Sequence, residues 1–325
     1  MNELRRDYIL DRWVIIAEER KKRPQDFIRV SKKEKPKMCY FCPGNEHLTP
    51  PEIDRIEENG RWIVRCFPNK FPAVILDDSE IKSENEILRR IPAYGKHEVI
   101  AETPEHNKNL SDLSVEHIVK IFLMYARRIN EIKKDKKIKY VFVFKNHGEM
   151  GGASIAHSHT QIIGLPIIPK IIMDEINSAD EYKSKTGRCI FCDVLNLESK
   201  SERRIYEDKY TIAFAPFASR FNLEVWIMPK RHLNFIDEMT NRELKSFANS
   251  LKIILGRLNK SLNDPPFNFY LHYPPDDYDL HLHLEIAPRL SRFAGLEFGS
   301  GVVINVIPPE VAAAHYRNET ECNLI

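Results

Sequence analysis

Two Cys-x-x-Cys pairs are the residues of this 325-residue chain whose type and spacing point most directly to chemistry. They are Cys39 with Cys42 and Cys189 with Cys192, and they account for four of the six cysteines. In a reducing compartment such pairs hold a metal or do redox work more often than they form structural disulfides. A redox pair usually opens a helix, whereas a proline and a glycine directly follow the first pair and would break one. Metal binding is therefore favoured over redox chemistry.

Histidines further along the chain can complete a metal site with each pair. Two thiolates and two imidazoles are the ligand count of a closed tetrahedral zinc site. The order of these residues predicts two such sets, which are Cys39, Cys42, His106 and His157 in the first half and Cys189, Cys192, His232 and His281 in the second. Zinc is the predicted metal at both.

The segment HSHTQ at residues 157–161 adds a histidine beside the first metal set. In a strand, side-chain alternation puts His157, His159 and Gln161 on one face. The glycines in the preceding residues 146–156 allow close backbone approach, and amides there can hold a phosphate. A histidine beside such a loop indicates nucleophilic attack on phosphorus, and the neutral Gln161 amide can donate to a phosphoryl oxygen. His159 is the predicted nucleophile and Gln161 its catalytic partner.

The second half contains a corresponding segment with different chemistry. It reads HLHLE at residues 281–285, and the preceding loop, PPDDYD, has no glycine. The carboxylates in that loop and at Glu285 would repel a phosphate. We therefore expect His283 to be structural and only the first half to be catalytic.

The elements that must position these residues form one large internal repeat. His157 lies 51 residues after His106, and His281 lies 49 residues after His232. A strand-like segment, residues 97–102 or 223–228, precedes each earlier histidine, and a helical pattern follows it. The two apolar stripes of these helices have identical offsets: Ile118, Ile121, Phe122, Tyr125, Ile129 and Ile132, and then Leu244, Phe247, Ala248, Leu251, Leu255 and Leu258.

After each helix comes a β-rich run, at residues 140–144 and 267–271, then a loop and the histidine strand. The order strand, helix, strand, loop, strand predicts an α+β fold of two tandem units, with mostly antiparallel sheets and helices on one face. The charged segment 170–188 is interpreted as a linker or short helix between the units. The predicted domains are residues 1–175, which carry the catalysis, and residues 176–325, which serve as a scaffold.

The charge balance excludes some classes of partner. Lysine and arginine number 49 against 47 aspartates and glutamates, a net charge of +2, so no overall basic field favours nucleic acid or a membrane surface. The first ten residues are charged where a signal peptide needs an apolar run, and no segment is apolar enough to span a membrane. We expect a cytoplasmic protein with neither kind of partner.

As a set, the motifs of this chain resemble the galactose-1-phosphate uridylyltransferase family of the histidine-triad superfamily. They are RKKRP at 20–24, CYFCPGN at 39–45, FPNKFPA at 67–73, TPEH at 103–106 and HSHTQ at 157–161. The family pattern in the last motif is His-Pro-His-x-Gln, and Ser158 in place of the proline is similar to the ADP-sugar phosphorylase branch. The resemblance implies a ping-pong reaction in which His159 takes a nucleoside monophosphate from a nucleotide sugar and passes it to a sugar 1-phosphate.

The resemblance also implies further site residues. Contacts with the nucleotide and its phosphates would come from Arg20, Arg23, Asn69, Asn146, Gly152 and Ser154. Glu297 would accept a sugar hydroxyl, and the family is homodimeric. Some bacterial members hold their second metal, zinc or iron, with residues that match Glu175, His272, His281 and His283. Both second-site schemes use His281, and the set with Cys189 and Cys192 is preferred because those thiols would otherwise lack a purpose.

The predicted function is therefore exchange of UMP between a UDP-hexose and a hexose 1-phosphate, as between UDP-glucose and galactose 1-phosphate. The main alternative is an ADP-sugar or dinucleoside-polyphosphate phosphorylase that uses inorganic phosphate as the acceptor. A non-enzymatic alternative is a zinc-knuckle interaction module.

Overall fold

A ten-stranded sheet is the largest element of the protein. The computed structural model describes residues 2–22, 38–81 and 85–320. The first five strands of the sheet are β3 (Asp54–Glu58), β4 (Arg61–Pro68), β5 (Lys96–Ala101), β6 (Tyr140–His147) and β7 (His159–Leu165). The other five are β8 (Arg204–Glu207), β9 (Thr211–Phe214), β10 (Val225–Pro229), β11 (Phe267–His272) and β12 (His283–Pro288).

Every neighbouring pair of strands in this sheet is antiparallel, in the order β3-β4-β5-β7-β6-β11-β12-β10-β9-β8. Strands β3 to β7 form the first unit and β8 to β12 the second, and the units join where β6 pairs with β11. Within each unit the histidine strand pairs with the strand after the helix, as Phe144 opposite Gln161 and Tyr270 opposite Glu285. The predicted α+β fold with a mostly antiparallel sheet is confirmed.

The two predicted amphipathic helices cover one face of the sheet. They are α1 (Val115–Lys133) and α4 (Asn241–Leu262), and every residue of both predicted stripes is buried. Ser114 caps α1 through the His117 amide, and Thr240 and Glu243 form the predicted capping box of α4. The helices pack on each other, with the rings of Phe122 and Phe247 5.4 Å apart. Burial of each large apolar side chain in this core contributes roughly 1.5–3 kcal/mol.

The opposite face of the sheet is covered over the second unit by α2 (Lys170–Thr186) and α3 (Ile190–Glu198). In α2, Ile172 and Ile176 are fully buried in a cluster with Phe191, Phe214 and Trp226. The predicted linker at 170–188 is therefore a full helix that belongs to the core. Over the first unit the same face exposes part of Phe142, Phe144 and Gln161, side chains of β6 and β7.

The first and last segments that the structure describes pack against the second unit. Strands β1 (Glu3–Arg6), β2 (Trp13–Ile16) and β13 (Val303–Asn305) form a small separate sheet, with β2 and β13 parallel. Helices α5 (Gly295–Ser300) and α6 (Pro309–Tyr316) flank β13. The domain boundary after residue 175 falls inside α2 and stays a prediction. None of the helices in the described ranges is both long and apolar enough to cross a membrane.

Candidate active site

The start of strand β7 determines which nitrogen of His159 is available for chemistry. The Nδ1 atom lies 2.8 Å from the carbonyl oxygen of His157. A carbonyl only accepts, so Nδ1 carries the proton of the neutral ring and Nε2 is left with a free electron pair. Burial and then the charge of Lys145 lower the pKa of His159 to about 4. The imidazole is therefore neutral at pH 7 and can attack through Nε2.

The first predicted metal set is assembled as expected. The ligand atoms of Cys39, Cys42, His106 and His157 all lie within 4.8 Å of one another. Cys42 Sγ is 3.4 Å from Nδ1 of His106 and 3.6 Å from Nδ1 of His157. Zinc bonds of about 2.3 Å to sulfur and 2.0–2.1 Å to nitrogen at tetrahedral angles separate the two ligand atoms by about 3.6 Å. The geometry therefore fits a zinc ion.

The metal set and the nucleophile are linked through the chain. His157 faces the sulfurs with Nδ1 and donates from Nε2 to the Thr103 carbonyl at 2.7 Å. Its own carbonyl then accepts from His159. The ring of Phe41, between the two cysteines, packs edge-on against His159 at 5.4 Å. A metal at this site would fix the residue that orients the nucleophile.

The second predicted set is also assembled, beside the second unit. Cys192 Sγ lies 3.6 Å from Nδ1 of both His232 and His281, and Cys189 completes the group. These distances fit zinc as well as those of the first set do. His281 donates from Nε2 to the Pro229 carbonyl at 2.8 Å, so both of its nitrogens are engaged.

A third group of possible metal ligands differs by one residue from the second-metal set that the resemblance implied. It comprises Glu175, His272, His283 and Glu285, all buried and with ligand atoms within 4.8 Å of one another. His281 is not a member, because its nitrogens face the sulfurs and Pro229, and Glu285 stands in its place. The expectation that two schemes compete for His281 is therefore wrong, since the two groups exist side by side.

The residues of the third group partly satisfy one another. His272 Nδ1 lies 2.9 Å from a Glu175 carboxylate oxygen, and Arg220 forms an ion pair with Glu285. His283 Nε2 is fully buried and has no hydrogen-bond partner within the described ranges. Burial lowers the pKa of His283, but the neighbouring carboxylates of Glu285 and Glu175 outweigh that effect and raise it.

The glycine-rich segment after β6 forms a tight loop. Gly148 and Gly152 have φ angles of 72° and 83°, which a side chain would strain. A Cβ at Gly151 would stand 2.8 Å from the Phe267 carbonyl oxygen, so the loop packs closely against β11. The Asn268 amide also joins the units, since it donates to Asn146 Oδ1 at 2.8 Å and to the Gly151 carbonyl at 2.7 Å.

The remaining predicted contact residues have different surroundings. Asn69 lies in the loop after β4, with Nδ2 3.4 Å from Oε1 of Gln161. Continuing the β6·β7 register places Asn146 level with His159. Arg20 is exposed in a short 3₁₀ helix, Ser154 is exposed in the glycine loop, and Arg23 lies outside the described residues. Glu297, the predicted acceptor of a sugar hydroxyl, accepts the Ala294 amide at the start of its own helix.

A buried polar network beneath β7 was missed by the sequence reasoning. Lys145 Nζ lies 2.6 Å from Glu102 Oε2, 3.0 Å from Ser158 Oγ and 3.0 Å from the His159 carbonyl. Burial raises the pKa of Glu102, but the charge of Lys145 outweighs it and holds that pKa below its usual value. The available signal for this network was Lys145, directly after the apolar run at 140–144. A lysine that continues a buried strand indicates a buried partner of opposite charge, because an unpaired charge is rarely buried.

Comparisons with known proteins identify the family of this chain. A family profile described as the N-terminal domain of galactose-1-phosphate uridyl transferase matches residues 1–169, just over half of the chain. A second profile, a domain of unknown function called DUF4921, matches residues 96–317. An ADP-glucose phosphorylase of Arabidopsis thaliana is 35% identical, over 96% of this chain and 91% of that protein. A galactose-1-phosphate uridylyltransferase of Thermotoga maritima is 32% identical over the full length of both chains.

Solved structures of a phosphorylase and a uridylyltransferase are also similar to this chain. The crystal structure of an Arabidopsis thaliana ADP-glucose phosphorylase with bound ADP-glucose superposes with a TM-score of 0.85 at 33% identity, covering 98% of this chain and all of that one. A structure of a uridylyltransferase superposes with a TM-score of 0.76 at 30% identity, covering 98% of each chain. The similarity therefore extends over both units and is not confined to the histidine strand.

Proposed function

The chain belongs to the galactose-1-phosphate uridylyltransferase family, and from this premise we propose that it is a nucleotidyltransferase that uses His159 as a covalent carrier. The observation that carries the proposal is the hydrogen bond from His159 Nδ1 to the His157 carbonyl, which leaves Nε2 free to attack. The substrates are a nucleotide sugar and a sugar 1-phosphate. Membership of a family of enzymes removes the zinc-knuckle interaction module from consideration.

The first half-reaction forms a bond between His159 Nε2 and the α-phosphorus of the nucleotide sugar. The bond from that phosphorus to the bridging oxygen breaks, and the hexose 1-phosphate leaves with the electron pair. The ring becomes positively charged while Nδ1 keeps its proton, and the His157 carbonyl stabilises this charge. The leaving group is already a phosphate anion, so no strong general acid is needed.

The second half-reaction returns the histidine to its starting state. A phosphate oxygen of the acceptor attacks the same phosphorus, the P–N bond breaks, and the electron pair returns to Nε2. Gln161 would donate to a phosphoryl oxygen in both steps without adding negative charge. Amides of the glycine loop, including Gly152, together with Asn69, Asn146, Ser154, Arg20 and Arg23, would hold the nucleotide and its phosphates. Glu297 would contact the sugar if its carboxylate left the helix end.

Zinc is the metal proposed for the two Cys/His groups, on the donor sets and distances described above. Burial and the adjacent Cys39 raise the pKa of Cys42 to about 11, and a dication supplies the charge that two adjacent thiolates need. The first ion would act as a clamp that fixes His157. The group of Glu175, His272, His283 and Glu285 offers nitrogen and oxygen ligands, which suit iron as well as zinc.

The main proposed reaction is exchange of UMP between UDP-glucose and galactose 1-phosphate. A second candidate is phosphorolysis of an ADP-sugar. Ser158 in place of the family's proline favours this candidate, and so does the likeness to the phosphorylase with bound ADP-glucose. Both candidates share the first half-reaction and differ in the base and the acceptor.

Intact-mass measurement tests the carrier and the base together. The purified protein is incubated with UDP-glucose or with ADP-glucose and no acceptor, and His159→Asn is the control. We expect one added nucleoside monophosphate on the unmodified protein and none on the variant. Discharge of the label by galactose 1-phosphate or by inorganic phosphate then identifies the acceptor. Absence of a label with both nucleotide sugars would sink the proposal.

We also propose that the protein is a cytoplasmic homodimer, with the compartment expected from the sequence and the dimer from the family resemblance. Light scattering of the purified protein tests the dimer, and a single-chain mass would contradict it. Fractionation of cells that express the protein tests the compartment.

A further inference from the structure

The Gln161 side chain can meet a phosphoryl group in two opposite ways. Its Nε2 group donates hydrogen bonds, whereas Oε1 only accepts and would repel phosphate oxygens. The two orientations have the same shape, so only hydrogen-bond partners decide between them. Here the hydrogen-bond partners are His97 and Asn69, whose side chains contact Gln161 from the outer edge of the site.

His97 has a hydrogen-bond direction that the backbone imposes. The amide of Ala73 donates to Nδ1 of His97 at 3.1 Å, and a backbone amide cannot act as an acceptor. The neutral ring therefore carries its proton on Nε2. That Nε2 lies 2.9 Å from Gln161 Oε1 and donates to it. Burial lowers the pKa of His97, which keeps the ring in this neutral form at pH 7.

Asn69 has a direction imposed in the same manner. The amide of Phe71 donates to Asn69 Oδ1 at 2.9 Å, which turns Nδ2 of Asn69 toward Gln161 Oε1 at 3.4 Å. Both backbone donors belong to the loop of residues 69–73, directly after β4. Gln161 Oε1 therefore accepts from two donors whose polarity cannot reverse without breaking a backbone hydrogen bond.

We propose that His97 is a positioning residue that, with Asn69, holds Oε1 of Gln161 toward the loop of residues 69–73 and aims its Nε2 group at the transferring phosphoryl group. This inference rests on the proposed function. Gln161 Nε2 has no hydrogen-bond acceptor among the residues that the structure describes, so its donors are available to a substrate. His97 itself does not touch the reacting atoms, and its effect passes through Gln161.

A double-mutant cycle tests this dependence. The rate of covalent labelling of His159 is measured in single turnovers at several concentrations of the nucleotide sugar that labels the protein. We expect His97→Phe to lower the limiting rate about ten-fold or more while the half-saturating concentration changes less than about three-fold. His97→Gln, which can present its Nε2 near the same place as the histidine Nε2, should restore most of the rate.

The coupling to Gln161 distinguishes positioning from a general structural role. In a Gln161→Ala background, His97→Phe should lower the rate by no more than about two-fold, because the group that it orients is gone. Thermal melting of each variant checks that the fold is intact. If His97→Phe does not fold, the smaller His97→Leu, which also lacks the donor, replaces it in the same cycle, with the same expected loss of effect in the Gln161→Ala background.

The positioning role would be overturned if the effects of the two substitutions were additive, or if His97→Phe labelled at an unchanged rate. In either case, labelling of the unmodified protein would still support the proposed function. Failure of the unmodified protein to label would overturn both.

Discussion

The two histidine strands of this protein share one skeleton. His159 and His283 each donate from Nδ1 to the carbonyl two residues earlier, at 2.8 and 2.9 Å. His157 and His281 each face a pair of cysteines and donate from Nε2 to a backbone carbonyl. Even the aromatic contact is repeated, because Phe41 and Phe191 occupy the same place in the two Cys-x-x-Cys pairs and pack on the second histidine.

The side chains around this shared skeleton are opposite in character. Two residues beyond His159 stands Gln161, which can donate to an anion, whereas two residues beyond His283 stands Glu285, which can only accept when ionised. The pKa of His159 is lowered to about 4, and that of His283 is raised. The first strand suits an anionic substrate and the second suits a cation.

The layer beneath the strands differs as strongly. The register places Leu271 where the first unit has Lys145, and Leu282 where it has Ser158. The first unit thus buries a lysine and a serine where the second buries leucines, although burying a charged group costs free energy that an apolar side chain does not. This difference indicates that the skeleton is set by the Cys-x-x-Cys segments and the backbone, and that the chemistry is set by the side chains of a few strand positions. Four predictions test it, from the largest expected effect to the smallest.

Matched cysteine substitutions should affect the two units differently. Cys39→Ser and Cys189→Ser should each remove about one zinc ion per chain and lower the melting temperature by about 10 °C, because structural zinc contributes strongly to folding. Only Cys39→Ser should also slow labelling of His159, since His157 orients that ring. Metal analysis, melting curves and intact mass check these outcomes. Equal labelling by both variants would break the comparison.

Lys145→Met should destabilise the first unit, because it leaves the Glu102 carboxylate buried without its counter-charge. The expected loss in the free energy of unfolding is about 3–5 kcal/mol. Leu271→Met at the matching position conserves volume and should cost less than about 1.5 kcal/mol. Urea unfolding of the two variants checks the contrast, and equal losses would contradict it.

Exchanging the residues two positions beyond His159 and His283 should separate the labelling rate of His159 from the stability of the protein. Gln161→Glu should slow labelling of His159 about 10²- to 10³-fold, because a donor is lost and a carboxylate then faces the phosphoryl oxygens. Glu285→Gln removes a partner of Arg220 and should lower stability while labelling continues. Single-turnover labelling and melting curves measure both. If Glu285→Gln slowed labelling and Gln161→Glu did not, the assignment of the catalytic unit would be reversed.

Ser158→Ala should produce the smallest effect. The Ser158 hydroxyl donates to Glu102 at 2.5 Å, and its loss should cost about 1–2 kcal/mol of stability. The side chain lies beneath β7, on the Lys145 side, so labelling should change less than about three-fold. A larger loss of labelling, measured in single turnovers, would mean that the hydroxyl acts in the reaction itself.

Much of this organisation follows from local sequence patterns. The apolar stripes of α1 and α4, the capping box at Thr240, and the two Cys/His sets all depend on residue types at fixed spacing. The repeat then aligned the two histidine strands and marked one of them as chemically different. These features were predictable because helical periodicity and metal-ligand spacing are encoded along the chain itself.

The remaining features arise only when distant strands pair. Glu102 meets Lys145 because β5 and β6 flank β7, and Glu285 joins Glu175 because α2 folds back over β12. The sequence alone determined that two similar units exist and that His159 is the chemically distinct histidine. The tertiary structure decided which way Gln161 faces and what lies beneath the strand, because each depends on hydrogen bonds between residues far apart in the chain. It also decided which nitrogen of His159 is free, because the bond to the His157 carbonyl depends on the local backbone and ring orientation, which the residue types do not specify.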